Sequence, residues 1–201
     1  MTFKEFYSII DRNKYYVFSI NDIMSFYPNE TAENIKKLIY RWNKKGWIYS
    51  LKNGLYELTY PKDFSIPDLY IANKLYSPSY ISLETALSNY SIIPEVSMGV
   101  TSITSKPTRR FNNKHGLFIY RSIQPVAFKG YFIQKIRGFE VFMAEPEKAI
   151  IDYLYFKTLH GKKIDFKEER IDFNTVQLRK NKIEKYAKLF NLNIEELYAY
   201  L

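Results

Sequence analysis

Cysteine is absent from all 201 residues, which excludes disulfides, zinc fingers and thiol catalysis. Histidine is nearly absent too. His115 and His160 are the only two, too few for a histidine-rich metal site. Glycine occurs seven times and never in the spacing of a dinucleotide-binding or P-loop phosphate site. No apolar run approaches the ~18 residues that a membrane span needs. The N-terminal stretch mixes acid and aromatics in an amphipathic pattern, so it does not read as a signal peptide. The expectation is a cytoplasmic protein with no membrane partner, no cofactor and no metal.

What is present suits a packed interior. Hydrophobic residues make up 46% and charged residues 25%, the balance of a globular chain rather than a disordered one. Domains commonly run ~100–150 residues, so this length suffices for one large domain or two small ones. Lys and Arg number 30 against 21 Asp and Glu, a net charge of +9 that favours a polyanionic partner, usually nucleic acid. The excess is spread along the chain, so arrangement has to locate a site.

The arrangement begins with three successive amphipathic stripes: Phe3, Phe6, Tyr7 and Ile10; Ile20, Ile23, Met24 and Tyr27; Ile35, Leu38, Ile39 and Trp42. Ser19 and Thr31 stand where N-caps of the second and third helices belong, and Pro28-Asn29 stops the second. Gly46 ends the third helix. Trp47–Leu51 then reads as a strand, Lys52-Asn53-Gly54 as a tight turn and Leu55–Leu58 as the returning strand. Three helices followed by a hairpin is the order of a winged helix, whose last two helices form a helix-turn-helix.

With its apolar stripe facing in, the third helix presents Lys36, Lys37, Tyr40, Arg41 and Lys44 outward, with Lys45 at its end. Such a row of donors suits a major groove, with Thr31 at the helix start and Lys52 and Asn53 at the wing tip reaching the flanking backbone. The expected partner is double-stranded DNA. The competing readings are a solvated basic face on a protein-interaction module, and a metal-dependent nuclease carrying Asp165-Phe166-Lys167 with a distant Pro67-Asp68.

The remainder reads as a second domain of mixed α+β type. Ser65 and Pro67 are placed to open a helix, another starts near Ser82, and three to five strands follow among residues 96–101, 117–123, 131–136 and 141–144, forming a small, mainly antiparallel sheet. Helices then start at Pro146 and recur near the end with Ile183, Tyr186, Ala187 and Phe190. Asn193 and Glu196 have capping-box spacing. A basic loop carrying Lys106, Arg109, Arg110, Lys114 and His115 interrupts the sheet and is a candidate second basic surface. Asp152, a carboxylate within an apolar helix stretch, is expected to form a buried pair or a cap rather than to catalyse. The domains are thus 1–60, a winged helix-turn-helix, and 61–201, an α+β domain.

Several runs together resemble the AbiEi-type antitoxins, regulators of type IV (abortive-infection) toxin–antitoxin pairs. Pro146–Tyr155 resembles the family's "PEKAxxDxxY" signature and Tyr80–Leu87 its "YISxxTAL" helix start, followed by Ile92–Glu95 as "xxIIPE". Val100-Thr101 with the basic stretch to Arg110 is similar to its "VT…K…R" strand and loop, and Gly46–Ile48 with Gly54–Tyr56 to its "GxI…xGxY" wing. The resemblance covers about residues 5–156. It implies an N-terminal winged helix that represses the protein's own promoter and a C-terminal domain with antitoxin activity. The implied functional partner is a nucleotidyltransferase-like toxin, neutralised without a stable complex. No catalytic residue is implied.

Overall fold

Thr2 starts the first helix by satisfying both ends of its own cap: the Glu5 N–H donates to Thr2 Oγ1 at 3.3 Å, and the Thr2 N–H donates to Glu5 Oε2 at 2.7 Å. This helix, α1 (Phe3–Arg12), opens the computed structural model, which describes residues 1–61, 64–95, 97–159 and 169–200. The chain divides into two compact units, Met1–Ile66 and Pro67–Leu201, and is of mixed α+β type.

In Met1–Ile66, α1 is followed by β1 (Val17–Ser19), α2 (Ile20–Phe26), α3 (Ala32–Lys44), β2 (Ile48–Lys52) and β3 (Leu55–Leu58). Ser19 and Thr31 cap α2 and α3, and Asp22 completes a capping box with Ser19. Gly46, at φ +70°, takes the left-handed turn that ends α3. The strands form an antiparallel sheet in the order β1-β3-β2, with Phe18 opposite Tyr56 and Tyr49 opposite Glu57. Strand β1 was not expected. Phe6, Ile10, Phe18, Ile23, Ile35, Ile39, Trp42 and Leu58 are buried against one another, each large apolar side chain adding ~1.5–3 kcal/mol of burial. Met24, expected inside, is exposed.

In Pro67–Leu201 the order is α4 (Asp68–Leu75), β4 (Ser79–Ile81), α5 (Leu83–Asn89), β5 (Val100–Thr104), β6 (Arg109–Asn113), β7 (Gly116–Ser122), β8 (Tyr131–Ile136), β9 (Phe139–Ala144), α6 (Pro146–Thr158) and α7 (Lys180–Lys188). Short 3₁₀ turns occupy Pro125–Ala127 and Glu196–Tyr200. Six strands, more than the three to five expected, form one sheet in the order β6-β7-β5-β4-β9-β8. Its pairings are antiparallel except β4 with β9 and β5 with β7. The strand expected over 96–101 begins only at Val100. The expected basic loop is largely strand β6, at one edge of the sheet. Pro67 itself occupies the cap of α4, not Ser65, and Asn193 accepts from the Glu195 N–H rather than boxing with Glu196.

Alternation divides the sheet between two helical covers. Tyr120 donates its hydroxyl to the Ala72 carbonyl of α4 at 2.6 Å. On the opposite face Tyr80 reaches Asp152 of α6, and the Arg121 guanidinium lies 5.2 Å from the Phe156 ring of the same helix. Where β4 is too short to pair fully with β9, the Asn73 side chain of α4 stands in for backbone. It accepts from the Phe142 N–H at 2.8 Å and donates to the Ser79 carbonyl at 3.3 Å.

Candidate nucleic-acid interface

Helix α3 is seated by its rings. Trp42 stacks on Phe6 at 4.8 Å and meets Phe3 edge-on at 5.2 Å. Ile35 and Ile39 are buried beside it and Leu38 is half-buried. A helix anchored along that stripe must turn its other residues to water. Glu33, Lys36, Lys37, Tyr40, Arg41 and Lys44 are all exposed, and Lys45 follows at the C-cap. The Thr31 hydroxyl, by contrast, is engaged in the cap, accepting from the Asn34 N–H at 3.2 Å.

The outward residues are ordered. Residues 33, 37, 40 and 44 succeed one another at four-, three- and four-residue spacing, which aligns them in one row. Lys37 Nζ lies 3.3 Å from Glu33 Oε1, and Lys44 Nζ stands 4.8 Å from the Tyr40 ring centroid. Lys36 and Arg41 flank this row. Glu33 was not among the residues that the sequence pattern marked, although its spacing from Lys37 was there to be read.

The hairpin is fixed to the end of α3. Thr59 donates its hydroxyl to the Gly46 carbonyl at 2.7 Å, and the Thr59 and Tyr60 N–H groups both reach the Trp47 carbonyl. Lys45 Nζ lies 4.4 Å over the Trp47 ring. Lys52 closes β2 and is half-buried, while Asn53 is exposed in the turn.

The second basic segment is arranged differently. Arg109 and Arg110 are adjacent on β6 and exposed, so they project to opposite faces of the edge strand. Arg109 lies 5.8 Å from the Phe111 ring on its own face. Lys106 precedes the strand, donates to the Ser77 carbonyl and sits 5.5 Å from the Tyr76 ring. Lys114 is exposed in the turn between β6 and β7. These cations do not form a single row.

A cleft of about 290 Å³ is lined in part by Asp68, Thr85, Ser88, Gly99, His115 and Leu117; Lys106, Arg109, Arg110 and Lys114 are not in its lining. His115 Nδ1 lies 3.0 Å from Asp68 Oδ1, a contact the sequence did not suggest. The Thr85 hydroxyl of α5 accepts from the Thr101 N–H of β5 at 2.8 Å and donates to the Gly99 carbonyl at 3.3 Å, which ties the end of the loop before β5 to α5. Ser97 donates to the Gly99 carbonyl within that loop.

Asp152 is fully buried in α6. It pairs with Lys148 one turn earlier and accepts from Ser82 Oγ at 2.8 Å and Tyr80 OH at 3.0 Å. Burial pushes the Asp152 carboxyl up against the pull of Lys148, and pushes the Lys148 ammonium down against the pull of Asp152. Lys148 also lies 4.7 Å from the Phe190 ring. Every polar atom of this carboxylate faces an internal partner, the arrangement of a structural pair.

Among the described residues, no three or more His, Asp or Glu gather where they could hold a metal ion. Asp165 and His160 lie outside the described residues. No described helix is long and apolar enough to cross a membrane. A scan against models of known protein families finds no match for the chain, and a search of curated proteins finds none either.

Proposed function

We propose that this chain is a DNA-binding transcriptional autorepressor and the antitoxin of a type IV toxin–antitoxin pair, acting in the cytoplasm, with Met1–Ile66 as its winged helix-turn-helix. The observation that carries the DNA-binding half is the coincidence of two properties on α3. The helix that this order of elements presents to a major groove is also the one whose outward face carries Lys36, Lys37, Tyr40, Arg41 and Lys44. Its opposite face is packed through Trp42 on Phe6, which fixes the helix that carries the donors. The hairpin tied to the end of α3 supports the same reading, with Asn53 at its tip. The antitoxin half is supported by the run of AbiEi-like motifs, with a nucleotidyltransferase-like toxin as functional partner. No catalytic role is assigned to any residue.

The test is binding of the purified protein to its own upstream DNA, titrated against salt and competitor DNA. Tight, promoter-selective binding that weakens steeply with salt is expected. Lys37→Ala and Arg41→Ala should each weaken it and flatten the salt dependence by about one ion. Binding no better than to competitor, or unmoved by both substitutions, overturns the reading.

A further inference from the structure

The row along the centre of the outward face of α3 contains one group that does not belong to a phosphate-binding surface. Glu33 is the second residue of the helix, its side chain 79% exposed, and it heads the row that continues through Lys37, Tyr40 and Lys44. A carboxylate there repels the polyanion that Lys36 and Arg41 attract, so on a face that only gripped backbone it would work against affinity.

In a major groove the same group has a use that no phosphate offers. The N-terminal residues of the second helix of a helix-turn-helix are those that reach base edges, and a carboxylate there can accept from an exocyclic amine. Cytosine presents its N4 amine with no acceptor on its own ring edge, the O6 of the paired guanine being the neighbour across the pair. Adenine sets its N6 amine beside the N7 acceptor, which would face the second carboxylate oxygen. Both oxygens of Glu33 are acceptors, so cytosine is the better match. Lys37, 3.3 Å away, orients the carboxylate and lowers the local repulsion.

We infer that Glu33 is a specificity-determining residue that reads a cytosine in the operator. The inference rests on the DNA-binding reading above. Acidic residues are also favoured in the first turn of any helix by the macrodipole, so the experiment has to separate base reading from helix stabilisation.

The probe is the protein's own upstream DNA and a panel carrying every single base-pair change across the footprint, measured by fluorescence anisotropy beside non-specific competitor. For the unmodified protein one position should show a cytosine preference of about ten-fold. Glu33→Gln and Glu33→Ala should abolish the preference at that position alone, while raising affinity for competitor. Lys36→Gln, a phosphate control, should weaken all sequences alike. Thermal unfolding of each variant reports the stability change, which a purely helix-stabilising role would move without touching the base profile. An unchanged profile in both Glu33 variants, with the unmodified protein still binding selectively, overturns this inference and leaves the DNA-binding reading standing. Absence of salt-sensitive binding by the unmodified protein overturns both.

Discussion

Asp152 and Lys148 are each fully buried on consecutive turns of α6, and the energetics of the pair follow from what surrounds them. Taking two charges out of water costs several kcal/mol per ion unless geometry and hydrogen bonds offset it. Here Ser82 and Tyr80 complete the carboxylate, and the Phe190 ring faces the ammonium. The attraction is conditional on both partners. Asp152→Ala strands a buried ammonium and should destabilise the protein by ~3–5 kcal/mol in urea denaturation. The double variant Lys148→Met, Asp152→Leu removes both charges and should recover much of that loss, because the two effects share one interaction and do not add. A double variant as unstable as the sum of its singles would mean that the pair is not the structural unit. The residue chemistry also accounts for the shape of the Pro146–Tyr155 motif: Pro146 starts a helix, Ala149 and Ile150 pack, and the two charged positions four apart meet on one face.

At the scale of elements, α7 is joined to the start of α6 largely by carboxylates. Lys182 and Tyr186 both donate to Glu145 Oε2, at 2.7 and 2.8 Å, and the Arg179 N–H donates to Glu147 Oε1 at 3.1 Å. Tyr186 also lies over Gly130, where an added Cβ would come within 2.7 Å of its ring. Burial alone would raise the Glu145 carboxyl, but the hydrogen bonds from Lys182 and Tyr186, with the Lys182 charge, outweigh it and leave the pKa lowered. A carboxyl whose pKa is lower folded than unfolded contributes stability above its unfolded value, and that contribution disappears as pH falls through the folded value. Amide protection in α7 should therefore drop on acidification from neutral pH to below the ordinary carboxylate range. Glu145→Gln should lower it at neutral pH and flatten its pH dependence. Hydrogen exchange read at Ile183–Ala187 checks this, and protection in α7 that is insensitive to both changes would sink it.

The same elements explain what could be read from the chain and what could not. Helices α1, α3 and α7 carry their burial in a local period, so their stripes were visible, and so was the basic face of α3, which is the complement of its stripe. Helix α6 is buried on every side from Glu147 to Leu154 and was legible from Pro146 at its start instead. Strands β1 and β4 have three residues each and exist through distant partners, Val17 opposite Glu57 and Ser79 opposite Thr104. Nothing within three residues announces such pairings. Strand β6 lies at a sheet edge with Arg109, Arg110 and Asn112 exposed, so it lacks the apolar alternation of a half-buried strand and read as a loop. Glu33 carries no distinctive mark in the sequence, since acids are ordinary at helix starts. The His115–Asp68 contact joins residues 47 apart and leaves no mark in either neighbourhood.

For the whole molecule, charge count and charge placement point to different halves. Met1–Ile66 carries ten basic against seven acidic side chains, and Pro67–Leu201 twenty against fourteen, so the larger excess lies in the second unit. If net charge governed DNA binding, residues 67–201 would be the stronger binder. If placement governs, as the proposed function requires, residues 1–66 should bind better in spite of their smaller excess. Four to six phosphates met by the cations of α3 and β2 imply a slope of log affinity against log salt of about −4 to −5. Expressed separately, residues 1–66 should keep most of the full-length slope and the preference for the upstream DNA, while residues 67–201 bind weakly and without selectivity. Coexpression with a toxin of the class that the proposed function requires should reverse the ranking, since the AbiEi-like motifs lie mostly after residue 79: under that proposal residues 67–201 should restore growth and residues 1–66 should not. A slope that travels with residues 67–201 would place the DNA contacts on the second unit and reduce the α3 face to a solvated surface. Growth restored by residues 1–66 would instead tie antitoxin activity to repression of the toxin's transcription, and leave the second unit without the role assigned to it.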